Sequence, residues 1–340
     1  MKISFASFFL QFRHPFGLSS GVRTGTDSVF VKLEEEGKTG FGEATLPPYL
    51  PEKPSSVTEF LKIVKESGIS HQLTLEENLG LLHSLSETDF AARCAVECAL
   101  VHLYSQLENK SVFELMKLPS TGLPECTFTI GVSTPKEMEE KIKEGNDFSV
   151  LKLKLDGKND KQIVTSARTY TRKPLCVDAN QGWHSLDYAV EMSHWLKEQN
   201  VLLIEQPFSK TDYDLHSRFT TLSSLPVIAD ESIQDLSGLE KYGDAFSGIN
   251  IKLLKCGGLS FARQMGEWAT KNRKAVLIGC MSESSCGVFH ASHLQGYAQW
   301  LDLDGPYLIK NDPFSGFTIT GGKCERSVLK EKNILNFTEV

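Results

Sequence analysis

From Pro124 onward, short β-branched runs alternate with helical stretches, which predicts an α/β fold, a (β/α)8-type TIM barrel. Three observations support it. Eight strand candidates follow one another, at Thr127–Ile130, Val150–Leu155, Leu175–Asp178, Leu202–Glu205, Val227–Asp230, Gly248–Leu253, Ala275–Gly279 and Trp300–Asp304. Three consecutive candidates close on a carboxylate, Asp178, Glu205 and Asp230, with turn residues directly behind each. At 340 residues the chain exceeds one average domain, yet it accommodates a slightly compact barrel with an attached module.

That module is read as an α+β capping domain over residues 1–124, with 125–306 as the catalytic barrel and 307–340 as a segment returning to the cap. Lys2 to Arg13 alternates like a strand, Gly17 to Thr26 is a glycine- and serine-rich connection, and Ser28 to Glu34 alternates again. Gly37 turns the chain into a third strand, Lys38 to Ala44. Pro47, Pro48, Pro51 and Pro54 stiffen the next loop. From Ser55 to Met116 the pattern is helical, with Asp89 as an N-cap and Cys94, Ala95, Cys98 and Ala99 spaced along one face. Asp187 to Gln199 is an ordinary amphipathic barrel helix. His290 and His293, three apart with no third ligand, read as structural.

Composition excludes several classes. The net charge of −7 invites neither nucleic acid nor an anionic membrane. No stretch approaches a membrane-spanning length, and no small-residue cleavage site precedes Arg13, so no signal peptide is read. Eight cysteines (94, 98, 126, 176, 256, 280, 286 and 324) include no Cys-x-x-Cys pair and lie in apolar elements. Reduced structural thiols in a cytoplasmic protein are the expectation. Barrels of this kind often form dimers or rings, so a homo-oligomer is allowed, although no interface pattern marks one.

The chemistry sits at strand ends, where barrels place active sites. One acid behind a strand often only caps the next helix. Three in step are costly to bury side by side and point instead to a divalent cation, Mg²⁺ first and Mn²⁺ or Ca²⁺ next. Lys152 and Lys154, two apart, face the same side of the second candidate strand. Lys252 ends the sixth, across the mouth, and Lys255 is a lower-ranked rival. An isolated Lys-x-Lys is commonly solvated. Here the apolar flanks and the acids favour a site, in which a neighbouring ammonium and a cation would lower a lysine's pKa enough for it to act as a base.

The order Lys152-Leu-Lys154, Asp178-Ala-Asn, Ile-Glu205-Gln-Pro, Ala-Asp230-Glu-Ser and Asn-Ile-Lys252-Leu resembles the enolase superfamily, in its muconate-lactonizing subgroup, over nearly the whole chain. The resemblance implies that Asp178, Glu205 and Asp230 bind one Mg²⁺. It also implies that Lys154 and Lys252 exchange a proton beside a carboxylate, with Lys152 assisting and touching that carboxylate. Asp302 and Asp304 resemble the Asp-x-Asp signature of dipeptide epimerases, where it holds the substrate's α-ammonium group. Family positions also implicate Thr129 and Cys280 in substrate contacts.

The implied activity is a dipeptide epimerase inverting the second residue. The loop Phe16–Thr26, with Leu18 and Val22, and Tyr49 in the proline-rich loop suggest Ala followed by a small or hydrophobic residue. Arg23 keeps an L-Ala-D/L-Glu epimerase open as a second reading. An o-succinylbenzoate synthase or cycloisomerase is a third, and a non-catalytic metal- and peptide-binding barrel a fourth.

Overall fold

The computed structural model describes residues 1–18 and 21–340, with the side chains of 16–18, 21, 22 and 135 excepted. Strands β1 (Lys2–Leu18), β2 (Gly21–Glu35) and β3 (Lys38–Leu46) form an antiparallel meander. The stretch expected to be a connection is mostly ladder. After an irregularity between Gln11 and Phe16, pairing resumes at Phe16↔Arg23 and runs to Leu18↔Gly21. Backbone pairing overrides the weak strand propensity of glycine there. Ser19 and Ser20, part of the loop assigned to side-chain selection, lie outside the described residues.

Helices Pro54–Glu66, Leu75–Ser84, Phe90–Leu107 and Val112–Leu115 follow. Helix Phe90–Leu107 is buried continuously from Ala91 to Tyr104, wedged between sheet and barrel. Its small residues permit close approach to the sheet: a Cβ on Gly42 of β3 would meet the Ala95 carbonyl at 1.9 Å. Asp89 is the N-cap residue, but its side chain accepts from Ser86 Oγ rather than capping the helix.

Eight parallel strands then close into a barrel: β4 (Glu125–Ile130), β5 (Val150–Lys154), β6 (Leu175–Asp178), β7 (Val201–Glu205), β8 (Val227–Ala229), β9 (Gly248–Ile251), β10 (Ala275–Gly279) and β11 (Trp300–Asp302). Each strand pairs with its neighbours in sequence, and β11 closes on β4. All eight expected strands are present. β5 and β8 stop one residue short of expectation and β9 and β11 two; at β8 Gln206 Oε1 takes the amides of Asp230 and Ser232 at 2.9 and 3.0 Å and draws them off the ladder. β12 (Phe314–Thr320) and β13 (Lys323–Glu331) form a hairpin, and β14 (Thr338–Glu339) joins β1 at the edge of the N-terminal sheet.

The cap is fastened to the barrel by a buried acid. Glu43 of β3, 2% exposed, accepts from Ser284 N, Ser284 Oγ (2.5 Å) and Gly287 N (2.9 Å), where the helix behind β10 begins. All eight cysteines are buried free thiols. Among the described residues no helix is long and apolar enough to cross a membrane. His290 and His293 are buried, with His290 Nε2 2.8 Å from the Phe41 carbonyl, so they serve packing between cap and barrel.

Candidate active site

In a closed eight-strand order, β5 and β9 lie four strands apart, on opposite sides of the mouth. Lys154 ends β5 and Lys252 directly follows β9, so the two lysines approach from opposite walls. Asp178, Glu205 and Asp230 come from the successive strands β6, β7 and β8 on the arc between them. The strand pleat sends Lys152 the same way as Lys154, one layer deeper.

Each acid leans to a lysine. Lys152 Nζ lies 2.7 Å from Glu205 Oε2, 2.7 Å from Asp302 Oδ2 and 3.4 Å from Asp178 Oδ2. Lys154 Nζ is 2.5 Å from Asp178 Oδ2. Asp230 is held from both sides, by Lys252 Nζ at 3.0 Å and Lys255 Nζ at 2.5 Å. Consequently no three acidic, histidine or cysteine side chains among the described residues already converge on one point at coordination distance.

Burial alone would lower the pKa values of Lys152, Lys154 and Lys252, but the carboxylates facing them win and raise all three. Of the four lysines in the site Lys255 alone is lowered, because burial outweighs Asp230. Asp230 is driven down against its own burial by Lys252 and Lys255. Glu205 goes the other way: burial, then Asp178, push it up to about 7.

The donor set fits a hard divalent cation. Six carboxylates (Asp178, Glu205, Asp230, Glu231, Asp302 and Asp304) share this cluster with four lysines, so with every group ionised two negative charges are in excess. Glu205 Oε2 meets Lys152 outside hydrogen-bond alignment, and Glu231 Oε2 is buried with no partner among the described residues. Carboxylate oxygens with unspent acceptor capacity are what Mg²⁺ or Ca²⁺ prefers.

The Asp-x-Asp pair has partners within the protein. Both residues are buried at the mouth. Asp302, however, is committed to Lys152 and to Thr127 Oγ1 at 2.7 Å. Asp304 accepts from the Thr129 amide at 2.5 Å, and burial followed by Asp302 raises its carboxyl to about 7. Thr129 therefore steadies the pair, its hydroxyl 3.4 Å from Asp302 Oδ1. Cys280 donates its amide to the Asp302 carbonyl, and burial first, then Glu283, raises its thiol pKa well above the ordinary value. Arg23 is half-buried, stacked 5.4 Å over Phe12 and facing Tyr49; among the described residues no acid pairs with it. The Tyr49 ring is exposed while its hydroxyl reaches Met281 Sδ at 3.1 Å. The side chains of Leu18 and Val22, assigned to the same pocket, lie outside the described set.

Lys255, expected past the strand as a rival to Lys252, reaches Asp230 as well, and Thr127, Glu231, Asn250 and Gln206 join the cluster without having been marked by the sequence pattern. The one-turn helix Leu253–Cys256 begins at Lys252 and returns Lys255 to the same face. Asn250 stands two residues before Lys252, hence on the same face, and its Nδ2 donates to Glu205 Oε1 at 2.8 Å.

Comparison with known proteins gives this arrangement its class. The family described as Enolase C-terminal domain-like matches residues 134–303. The L-Ala-D/L-Glu epimerase of Bacteroides thetaiotaomicron is 42% identical over 324 residues, covering 95% of this chain and 85% of that one. An L-Ala-D/L-amino acid epimerase from Maribacter sp. is 34% identical, covering 94% of each chain. The substrate-liganded L-Ala-D/L-Glu epimerase of Bacillus subtilis superposes with a TM-score of 0.87 at 25% identity, covering 97% of both chains. The chain belongs to the enolase superfamily, among its dipeptide epimerases. It is an isomerase, an epimerase acting on amino acid derivatives.

Proposed function

We propose that the chain epimerises the second residue of Ala-Xaa dipeptides by a two-lysine 1,1-proton transfer that depends on Mg²⁺. The observation that carries this reading is the placement of Lys154 and Lys252 on opposite walls, with three carboxylates between them. Asp178, Glu205 and Asp230 would hold the cation. When bound, it supplies positive charge to the substrate carboxylate, acidifying the adjacent C–H, a combination of lysine base and magnesium general to enolase-type sites.

The remaining steps belong to side chains. Were Asp178, Glu205 and Asp230 to hold the cation, they would be less available to Lys152, Lys154 and Lys252, and the pKa values of those lysines would fall toward a usable range. One neutral lysine, Lys154 or Lys252 according to the epimer, takes the α-proton. The electron pair passes into the carboxylate, and Lys152 in the layer below offers its ammonium to the charge that develops. The opposite lysine, as an ammonium, returns a proton to the other face of the same carbon. Asp302 and Asp304 form the anionic end that receives the dipeptide's α-ammonium group, with Thr129 and Cys280 lining that end.

For the second residue, the half-buried Arg23, with no acid partner among the described residues, favours a carboxylate side chain. L-Ala-D/L-Glu is therefore the substrate pair we assign ahead of small or hydrophobic residues. The relatives named L-Ala-D/L-Glu epimerase agree with that choice. The test incubates a library of Ala-Xaa dipeptides with enzyme and Mg²⁺ in D₂O and reads α-deuterium by mass spectrometry. Deuterium in both epimers of Ala-Glu ahead of other dipeptides is expected. Turnover with protium retained would sink the proton-transfer reading. Preferential labelling of Ala-Val or Ala-Leu would restore a hydrophobic pocket.

A further inference from the structure

Lys252 is carried on a turn that the cap grips from behind. It is the N-cap of the one-turn helix Leu253–Cys256, which ends in Gly257 and Gly258, at φ of 90° and 135°. Two neighbouring side chains of helix Phe90–Leu107 close on that turn. Arg93, 4% exposed, points Nε at the Gly257 carbonyl (3.3 Å) and Nη2 at the Cys256 carbonyl (3.5 Å), and stacks on Phe90 and Phe261. Glu97, fully buried, accepts from Ser260 N at 2.6 Å through one oxygen and lies 2.7 Å from His83 Nε2 through the other. The fit admits no slack: a Cβ on Gly257 would stand 2.2 Å from Arg93 Nη2, and one on Gly258 2.5 Å from Glu97 Oε2.

We infer that Arg93 and Glu97 are positioning residues for Lys252, and so set the balance between the two half-reactions of the epimerase. The inference rests on the two-lysine reading above. Burying a guanidinium and a carboxylate is costly unless each is well partnered. Here both are directed at the backbone behind Lys252 and Lys255, whose ammonium groups bracket Asp230 from the other end of the same turn. Among the described residues no side chain of the cap hydrogen-bonds the loop behind β5 on the Lys154 side. There the loop behind β5 is held by a barrel residue, Asp160, which accepts from the Asp156 and Gly157 amides and from Trp183 Nε1. Loosening the cap clamp therefore displaces one base and leaves the other in place.

The experiment measures α-deuterium uptake separately from L-Ala-L-Glu and L-Ala-D-Glu in D₂O, with thermal melts run alongside. Lys154→Ala and Lys252→Ala identify which epimer each lysine serves. Arg93→Lys and Glu97→Leu are expected to slow uptake from the Lys252-dependent epimer about tenfold or more while leaving the other within twofold. Glu97→Gln, which keeps an acceptor for Ser260, is expected to restore the wild-type ratio. If Glu97→Leu does not fold, Arg93→Lys decides alone. Equal slowing of both epimers, or no change, overturns the inference and leaves a purely structural clamp. If the two single-lysine variants do not lose opposite epimers, the two-lysine reading itself falls, and the inference with it.

Discussion

Glu43→Leu should separate the cap from the barrel energetically, and the cost is readable from the structure. The carboxylate receives Ser284 N, Ser284 Oγ and Gly287 N from the barrel, and Ser28 Oγ and Thr45 Oγ1 from its own sheet. The hydroxyls re-pair after truncation, since Ser28 and Thr45 already stand 3.3 Å apart. The two amides at the helix start cannot, and each buried unpaired donor costs about 1–3 kcal/mol. A loss of about 4 kcal/mol follows, or about 8 °C in melting temperature at about 2 °C per kcal/mol for a chain of this size. Burial raises the Glu43 carboxyl above its unfolded value, so the native state binds that proton more tightly. Its contribution is therefore fully present below the unfolded pKa and declines as pH climbs through the raised value. Differential scanning calorimetry of Glu43→Leu and Glu43→Gln at pH 5 and pH 7 checks both points. The neutral glutamine should cost less than leucine. A Glu43→Leu melt within 2 °C of the parent at pH 7, a window set well inside the shift of about 8 °C, would refute the argument.

Further outcomes follow from the site. Lys154→Ala should abolish turnover; a variant that keeps it would remove Lys154 from the pair of bases. Replacing Asp302 and Asp304 together by asparagine should reduce kcat/KM for Ala-Glu by about a hundredfold or more, since a desolvated partner for the ammonium is lost. Unchanged activity on a substrate lacking that ammonium would instead favour a synthase or cycloisomerase. Arg23→Ala should cost about tenfold or more on Ala-Glu and little on Ala-Ala; equal losses would remove Arg23 from side-chain selection. Lys152→Met takes one shared ammonium from three buried acids, so the variant should melt lower without metal and gain more from added Mg²⁺ than the parent does; a fixed gap at all Mg²⁺ concentrations contradicts the charge count. Glu283, raised to about 8 by burial and then Glu43, makes the fold less stable as pH rises from the ordinary carboxylate range through about 8. Glu283→Gln should flatten that slope by up to about 1.4 kcal/mol per pH unit, seen in urea midpoints.

The period of apolar runs, the acids closing three of them and the Lys-x-Lys pair were enough to determine the barrel and to name its acids and lysines. Those signals are local: a strand's alternation decides which way Lys152 and Lys154 point, and strand order puts Asp178, Glu205 and Asp230 side by side. Charge balance was not local. Whether Asp302 pairs with Lys152, whether Lys255 reaches Asp230, and whether a lysine's pKa falls or rises depend on groups 25 to 150 residues apart meeting in one dry cluster. Only the closed tertiary structure decided those pairings, because Coulomb energies follow distance in space and the dielectric around it, neither of which a linear pattern encodes. The grip of Arg93 and Glu97 on the Lys252 turn has the same origin, a contact across some 160 residues of chain.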